Sequence, residues 1–401
     1  MTLAIDKQSS ETELATLLPQ KSFAEFFAGI GLMRMGLELG GWSIAFANDI
    51  DPQKLSMYKG QFPDAEKHFN LGDVHQIPTN VIPSVTLATA SFPCNDLSLA
   101  GAREGLNGKE SSAFWGFIRI LNEMNMRRPP LVLLENVPGL LTSHGGSDFH
   151  RTLQALNRLG YYVDSFMLDA VRFVPQSRQR LFIIGTREEL LNDTIIETFQ
   201  KPIESDVRPK ALVKFIWKHD DIQWSIRTLP PQPTATAQLS DILDELPDNA
   251  PEWWDRTRAF YLLSQMSPTH RERADRMIAG KEWSYGTVFR RMRSGQSTAE
   301  LRTDGIAGCL RTPRGGSARQ ILFQAGYGTY RVRLLTPKEC ARLMGADSYN
   351  ITVPLTQALF GFGDAVCVPV IEWICKNYFN PLIDEIMSRN QSQELAQEVT
   401  R

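Results

Sequence analysis

The sequence predicts an α/β protein: a doubly wound, mostly parallel sheet with a smaller domain inserted before the chain returns to it. Three observations carry this reading. From Ser22 the chain falls into repeated strand-then-helix units, the rhythm of a sheet covered by helices on both faces. That rhythm stops near Thr186, and residues 191–330 are richer in Pro, Trp and Arg, with Pro230-Pro231-Gln232-Pro233 as a linker-like break. Patterning resumes after Arg331, and a last amphipathic helix opens at Val366. A length of 401 residues is comfortable for two domains.

Taken in order, residues 1–20 read as a polar extension. The expected strands are Phe23–Phe27, Trp42–Ala47, Val85–Ala90, Leu131–Leu134, Tyr162–Leu168 and Leu181–Ile184, with helices at Leu32–Leu39, Ala113–Met124 and Phe149–Leu159 among them. The expected division is 21–190 plus 357–401 for one domain and 191–356 for the inserted one. No internal repeat is visible.

Composition narrows the function classes. With 42% hydrophobic and 22% charged residues, disorder is excluded as the main state. No apolar run approaches the roughly 20 residues of a membrane span, and the first residues show no secretory pattern. Five scattered cysteines, at 94, 309, 340, 367 and 375, make neither a disulfide framework nor a CxxC site, so a reducing, cytoplasmic setting is expected. The six histidines have no metal spacing, and no metal is expected. A net charge of −2 argues against a uniformly basic coat, yet the average hides an asymmetry. Residues 188–255 hold 14 acidic and 6 basic side chains, whereas 256–335 hold 15 basic and 5 acidic, and 14 of those 15 are arginine. Arginine suits phosphate forks and base edges, although a solvated face has the same composition.

Four motifs stand where such a sheet gathers ligands, at the C-terminal ends of strands. Phe26-Phe27-Ala28-Gly29-Ile30-Gly31 lies between a strand and a helix, where glycines let backbone approach a ligand. Asp49, eighteen residues after Gly31, ends the next strand and can accept ribose hydroxyls. An adenosine-containing ligand fits this spacing better than a plain turn does, and the missing third glycine weighs against NAD. Ser91-Phe92-Pro93-Cys94-Asn95 puts a cysteine on a loop after an apolar strand, a setting for a nucleophile, while Cys367 and Cys375 have core surroundings. Leu134-Glu135-Asn136-Val137-Pro138 brings a carboxyl to a strand end, where desolvation can make it a proton donor. Gln176-Ser177-Arg178-Gln179-Arg180 places two arginines on one face by strand alternation, suited to an anion or a polarised carbonyl, or to ordinary ion pairing.

In this order the motifs resemble the DNA (cytosine-5) methyltransferases of bacterial type. The segments from Arg333 to Gly345 and from Phe362 to Val370 match as well, so the resemblance covers about 22–187 and 331–375. It implies a Rossmann-like, S-adenosylmethionine-dependent methyltransferase domain with an inserted target-recognition domain. By the same resemblance Cys94 is the nucleophile toward carbon 6 of a flipped-out cytosine, and Glu135 contacts ring nitrogen 3 and the exocyclic amine. Arg180 supports the cytosine carbonyl, and Arg178 a DNA-facing strand or loop. Phe27, Gly29, Ile30, Gly31 and Pro93 line the cofactor side, Asp49 holds the ribose and Ile50 packs on the adenine. Asp73 meets the adenine amine with Val74 beside it, and Asp364 and Val366 close the pocket. S-adenosylhomocysteine is the implied product.

Departures from the family pattern are Leu32 for glycine, Asn95 for glutamine and Asp364 for asparagine. Within the insert, which resembles nothing familiar, Arg290, Arg291, Arg293, Arg311, Arg314 and Arg319 are the expected contacts to double-stranded DNA. Host-DNA protection beside a cognate restriction or phage-defence protein, in the bacterial cytoplasm at the nucleoid, follows from the resemblance alone. Two rivals are a tRNA cytosine-5 methyltransferase, whose Cys-Phe-Thr signature is absent, and a catalytically silent DNA-binding regulator, which the four intact motifs oppose. A nucleotide-dependent oxidoreductase has no need of the Pro93-Cys94 motif.

Overall fold

All six strands expected between Ser22 and Thr186 form, and a short seventh joins them at one edge. The structure, a computed structural model, describes residues 20–93, 112–191, 201–293, 295–312 and 319–399; the side chains of 293 and 392–399 lie outside that description. The first half runs β1 (Ser22–Phe26), α1 (Leu32–Leu39), β2 (Ser43–Asp49), α2 (Pro52–Gln61), β3 (Phe69–Leu71), β4 (Leu87–Ala90), α3 (Ser112–Glu123) and β5 (Leu131–Asn136). It continues through α4 (Gly139–Thr142), α5 (Ser147–Asn157), β6 (Tyr161–Asp169) and β7 (Gln179–Arg187). The strand order is β3-β2-β1-β4-β5-β7-β6. The first five strands are parallel, and β7 slots antiparallel between β5 and β6. Because the order reverses between β1 and β4, the C-terminal ends of β1, β2 and β4 open onto one crevice.

Period-two alternation builds the two faces. On β5, Leu131 and Leu133 join one apolar cluster with α1 and the C-terminal helices, while Val132 and Leu134 join the other with α3 and α5. Glu135 and Asn136 continue the strand beyond both clusters. The unforeseen β3 is only three residues long, too short to show a period.

Segments at both ends of the stretch 191–356 pack with this large sheet. Val207 and Gln223–Ser225 hydrogen-bond along β6, and α6 (Lys210–Lys218) buries Leu212, Phe215 and Ile216 in the α3–α5 cluster. Arg208 pins the segment through a buried pair with Asp164, Nη2 to Oδ1 at 2.9 Å. At the other end, α9 (Pro337–Leu343) sits in the α1 cluster.

Between them lies a separate unit. α7 (Arg256–Ser264) and α8 (Pro268–Ile278) cover an antiparallel sheet of β8 (Ser284–Arg293), β9 (Gln296–Arg302), β10 (Ile321–Gly326) and β11 (Thr329–Leu334), in the order β11-β10-β8-β9. Its own core includes Leu262, Leu263, Val288, Leu301, Phe323 and Val332.

The chain then returns through α10 (Leu355–Asp364) and α11 (Val368–Ile374), a π turn at Cys375–Phe379 and α12 (Asn380–Val399). Leu355–Gln391 is long and apolar enough for a membrane span, but most of its apolar 18-residue window is buried inside the protein. Cys367 and Cys375 are core residues whose thiols burial pushes up to about 12.

Candidate active site

The glycine motif turns sharply because three successive alternate residues leave the right-handed region: Phe27 at φ +59°, Gly29 at +55° and Gly31 at +83°. Asp49 locks that turn. Its Oδ2 accepts the Gly29 amide at 2.8 Å, and its Oδ1 accepts the Asp51 amide at 2.9 Å. Each oxygen keeps a second lone pair for a ligand hydroxyl.

Gly31 has a packing role as well, since a Cβ there would stand 2.3 Å from the Phe62 ring and 2.8 Å from that of Tyr58. Ile30 corrects one expectation: its side chain is 1% exposed, in the core, and its carbonyl accepts the Tyr349 hydroxyl, so only its backbone can face a ligand. Ile50, by contrast, is 66% exposed directly after Asp49, an apolar side chain with no core to fill. Asp73 is half-buried, its Oδ1 taken by the His75 amide, and Val74 packs under α3 against Gly116. Val366 is buried. Asp364, at the end of α10, pairs with Lys54 at 3.0 Å and accepts the Thr312 hydroxyl.

Sequence reasoning passed over Glu25, an acid inside the apolar strand β1. It is fully buried, and desolvation holds its carboxyl well above the usual range, with Arg34 opposing that shift and Asp49 adding to it. The signal was available as a lone carboxylate in Ser22-Phe-Ala-Glu-Phe26.

Across the crevice, Pro93 is half-exposed and is the last described residue before 112, so Cys94 lies outside the described residues. The next strand holds the Pro93 end in place: Asn136 Nδ2 donates to the Phe92 carbonyl at 3.2 Å. Beside it Glu135 receives Arg180 Nε at 2.8 Å, both side chains largely buried. β5 and β7 pair antiparallel through Glu135↔Phe182 and Asn136↔Leu181. That register brings residue 180 past the end of β5, where its guanidinium can turn back onto Glu135.

Arg178 requires a correction. It precedes β7 rather than sharing a strand face with Arg180, and it is 3% exposed. Its guanidinium donates to the carbonyls of Leu310 (2.8 Å), Gly363 (3.3 Å) and Ala365. It ties Leu310, which leads into the stretch expected to face DNA, and the C-terminal segment to the sheet, so what is overturned is the strand face shared with Arg180. The same cluster holds Cys309, 3.3 Å from Arg178 Nη1. Burial alone would push that thiol up, but Arg178, Arg180 and Arg311 hold it below the ordinary thiol range.

Arg290, Arg291 and Arg319 lie toward one end of the small sheet. β10 begins at Ile321, paired with Val288, while β8 runs on past it to Arg293 with β9 as its only partner. The β8–β9 hairpin thus overhangs the side from which Arg319 and Gln320 lead into β10. Arg290 is half-exposed, and Arg291 is exposed over the Phe289 ring at 5.1 Å. Arg311 is exposed and Arg319 half-exposed; Arg314 and the Arg293 side chain lie outside the described residues.

Comparison with known proteins gives concordant results. The family model for C-5 cytosine-specific DNA methylases matches residues 21–380. Among curated relatives, the type II methyltransferase M.NlaX of Neisseria lactamica is 30% identical over 88% of this chain and 94% of its own. M.DsaV of Dactylococcopsis salina is 29% identical over 89% and 85%, and M.HhaI of Haemophilus parahaemolyticus 28% over 88% and 93%. In fold, the chain resembles the Dnmt2 methyltransferase of S. pombe, with a TM-score of 0.59 at 17% identity over 90% of this chain and 98% of that one.

Proposed function

Since this chain belongs to the C-5 cytosine-specific DNA methylase family and methylates carbon 5 of cytosine in DNA, we propose that Cys94, Glu135 and Arg180 carry that reaction, with S-adenosylmethionine as the methyl donor. The crevice suits this donor: Asp49 retains lone pairs for two ribose hydroxyls, and exposed Ile50 offers an apolar surface to an adenine. When bound, the donor supplies an electrophilic methyl group. The backbone at Phe27–Gly31, Asp73 and Pro93 completes its surroundings, with Val74 and Val366 packed behind them.

The cytosine is flipped out of the duplex at a cost of a few kcal/mol. Cys94, as thiolate, forms a bond to carbon 6. Free thiols, with a pKa near 8.5, are only a few per cent thiolate at neutral pH, so the site must favour that form. Glu135 hydrogen-bonds ring nitrogen 3 and the exocyclic amine, drawing electron density from carbon 6 as the thiolate adds. Arg180, already on Glu135, supports the cytosine carbonyl and holds the carboxyl in line. Addition at carbon 6 would make carbon 5 nucleophilic, and the donor held by Asp49 and the backbone of Phe27–Gly31 would supply the methyl group to it, leaving with the electrons of its methyl–sulfur bond. Loss of the carbon-5 proton to a base, with release of Cys94 from carbon 6, restores the aromatic ring.

We assign DNA reading to the unit within 191–356 centred on β8–β11. The overhanging β8–β9 hairpin and the 311–319 segment supply its cationic edge, through phosphate contacts and a few base contacts. The named relatives are type II methyltransferases, which supports protection of host cytoplasmic DNA beside a cognate restriction or defence protein.

The observation that carries the reading is the Glu135–Arg180 pair beside the Pro93 end of β4. Bisulfite sequencing of DNA from cells expressing the protein tests it. Methylated cytosines in one sequence context are expected with the wild type and none with Cys94→Ser. Equal methylation with both would remove Cys94 from the reaction.

A further inference from the structure

Three segments distant in sequence meet at Asp364. Lys54, on the helix that begins just after the ribose-binding acid, pairs with its Oδ2 at 3.0 Å, and Thr312 donates its hydroxyl to Oδ1. Thr312 directly precedes residues 313–319, and Arg311 stands beside it. The contact is close in the backbone too, because a Cβ on Gly363 would lie 2.5 Å from the Arg311 carbonyl carbon and 2.6 Å from the Thr312 amide.

The junction has a fixed end and a loose end. Buried Arg178 fastens the carbonyls of Leu310 and Gly363 from one side. Lys54 and Asp364 are partly exposed, at 23% and 39% of their side chains, so water can replace their pairing at little cost. Lys54 also faces Asp49 and Asp51. Burial alone would lower its ammonium, but Asp364 and these two carboxylates hold it above the ordinary lysine range. Asp49 accepts the Asp51 amide and Asp51 in turn caps α2 through the Gln53 amide, so a ligand that engages Asp49 bears on the start of the helix that carries Lys54.

We propose that Lys54, Asp364 and Thr312 form a polar latch through which occupancy of the cofactor crevice and DNA contact at Arg311 strengthen each other. This rests on the reading of both sites given above. Lys54 and Thr312 are positioning residues in it, acting through Asp364. Coupling of this kind is reciprocal: the factor by which cofactor tightens DNA equals the factor by which DNA tightens cofactor.

The test measures duplex binding by fluorescence anisotropy with and without saturating S-adenosylhomocysteine, on a duplex carrying the site mapped by bisulfite sequencing. Calorimetry gives the S-adenosylhomocysteine affinity without DNA. For the wild type, a roughly tenfold tightening of the duplex is expected. Thr312→Val and Lys54→Met should each cut it below about threefold, the double variant no further than either alone, and Thr312→Ser should restore it. Thr312→Val should keep its S-adenosylhomocysteine affinity within about twofold of wild type, since Thr312 reaches the crevice only through Asp364. Undiminished tightening in both variants, or none in a wild type that binds both ligands, would overturn the latch. A wild type that does not bind S-adenosylhomocysteine would overturn the cofactor reading and the latch with it.

Discussion

Glu135 and Arg180 meet at 2.8 Å between the ends of β5 and β7, two strands that run in opposite directions. An antiparallel neighbour brings the residues just before its own start to the C-terminal end of β5, where the parallel strands present their reactive residues. β7 thereby delivers a cation to the edge proposed for catalysis.

Arg180→Ala leaves Glu135 largely buried without its partner and without the carbonyl support assigned to Arg180. Single-turnover methyl transfer should fall by at least about a hundredfold, in line with loss of a charged hydrogen bond of roughly 3 kcal/mol. S-adenosylhomocysteine affinity should stay near wild type. A rate within threefold of wild type would take Arg180 out of the reaction.

Asp49→Ala removes the acceptor of the Gly29 and Asp51 amides as well as the ribose contact proposed for it. Calorimetry should show S-adenosylhomocysteine affinity lower by about ten- to a hundredfold, from hydrogen bonds to a charged group worth about 1.5–3 kcal/mol. Unchanged affinity would mean that the crevice holds its ligand elsewhere.

Glu25 makes stability depend on pH in the unusual direction. Burial raises its folded-state pKa above the ordinary value of 4.5, so the native state holds this proton to higher pH than the unfolded chain does. Its contribution is favourable at low pH and is lost as pH rises from about 4.5 through the raised value. Glu25→Gln removes the titration, so its Tm relative to wild type should improve from pH 5 to pH 8. An offset that stays constant in thermal melts across that range would show that Glu25 does not titrate this way.

Replacing Arg290 and Arg291 by alanine should weaken binding to all duplexes alike and flatten the salt slope by about one unit per lost phosphate contact. If one of them reads a base, discrimination at one position should drop by about 1–3 kcal/mol instead. A titration at several salt concentrations, on methylatable and scrambled duplexes, separates these results. Wild-type affinity, slope and specificity together would move the DNA face away from the β8–β9 hairpin.

Much of the site could be read in the sequence because its chemistry sits on local punctuation. Glycines at Gly29 and Gly31, Asp49 closing a strand, and Glu135 and Asn136 ending an apolar run each break a pattern within a few residues. What escaped depends on contacts between distant segments. Arg178 looked like a second active-site cation, but its partners at Leu310, Gly363 and Ala365 are more than 130 residues away. Likewise the docking of Val207 and Gln223–Ser225 along β6 has no periodic signature, since those contacts use backbone groups that any sequence carries. The Arg333–Glu339 pair, buried to 1% and 0%, shows the mixed case. Thr336-Pro337-Lys338-Glu339 carries the local signature of a capped helix start, while the burial of Arg333 belongs to the fold.

The account stands most directly on the bond between Cys94 and carbon 6 of cytosine. Duplex DNA containing 5-fluorocytosine at the mapped site supplies a carbon-5 substituent that cannot leave as a proton, so the adduct should persist after methyl transfer. Incubation with S-adenosylmethionine, nuclease and protease digestion, and mass spectrometry of the peptides should find one modified cysteine, Cys94. Cys94→Ser should give no adduct. A wild type that methylates ordinary duplex but forms no adduct, or forms it at Cys309, would contradict the mechanism.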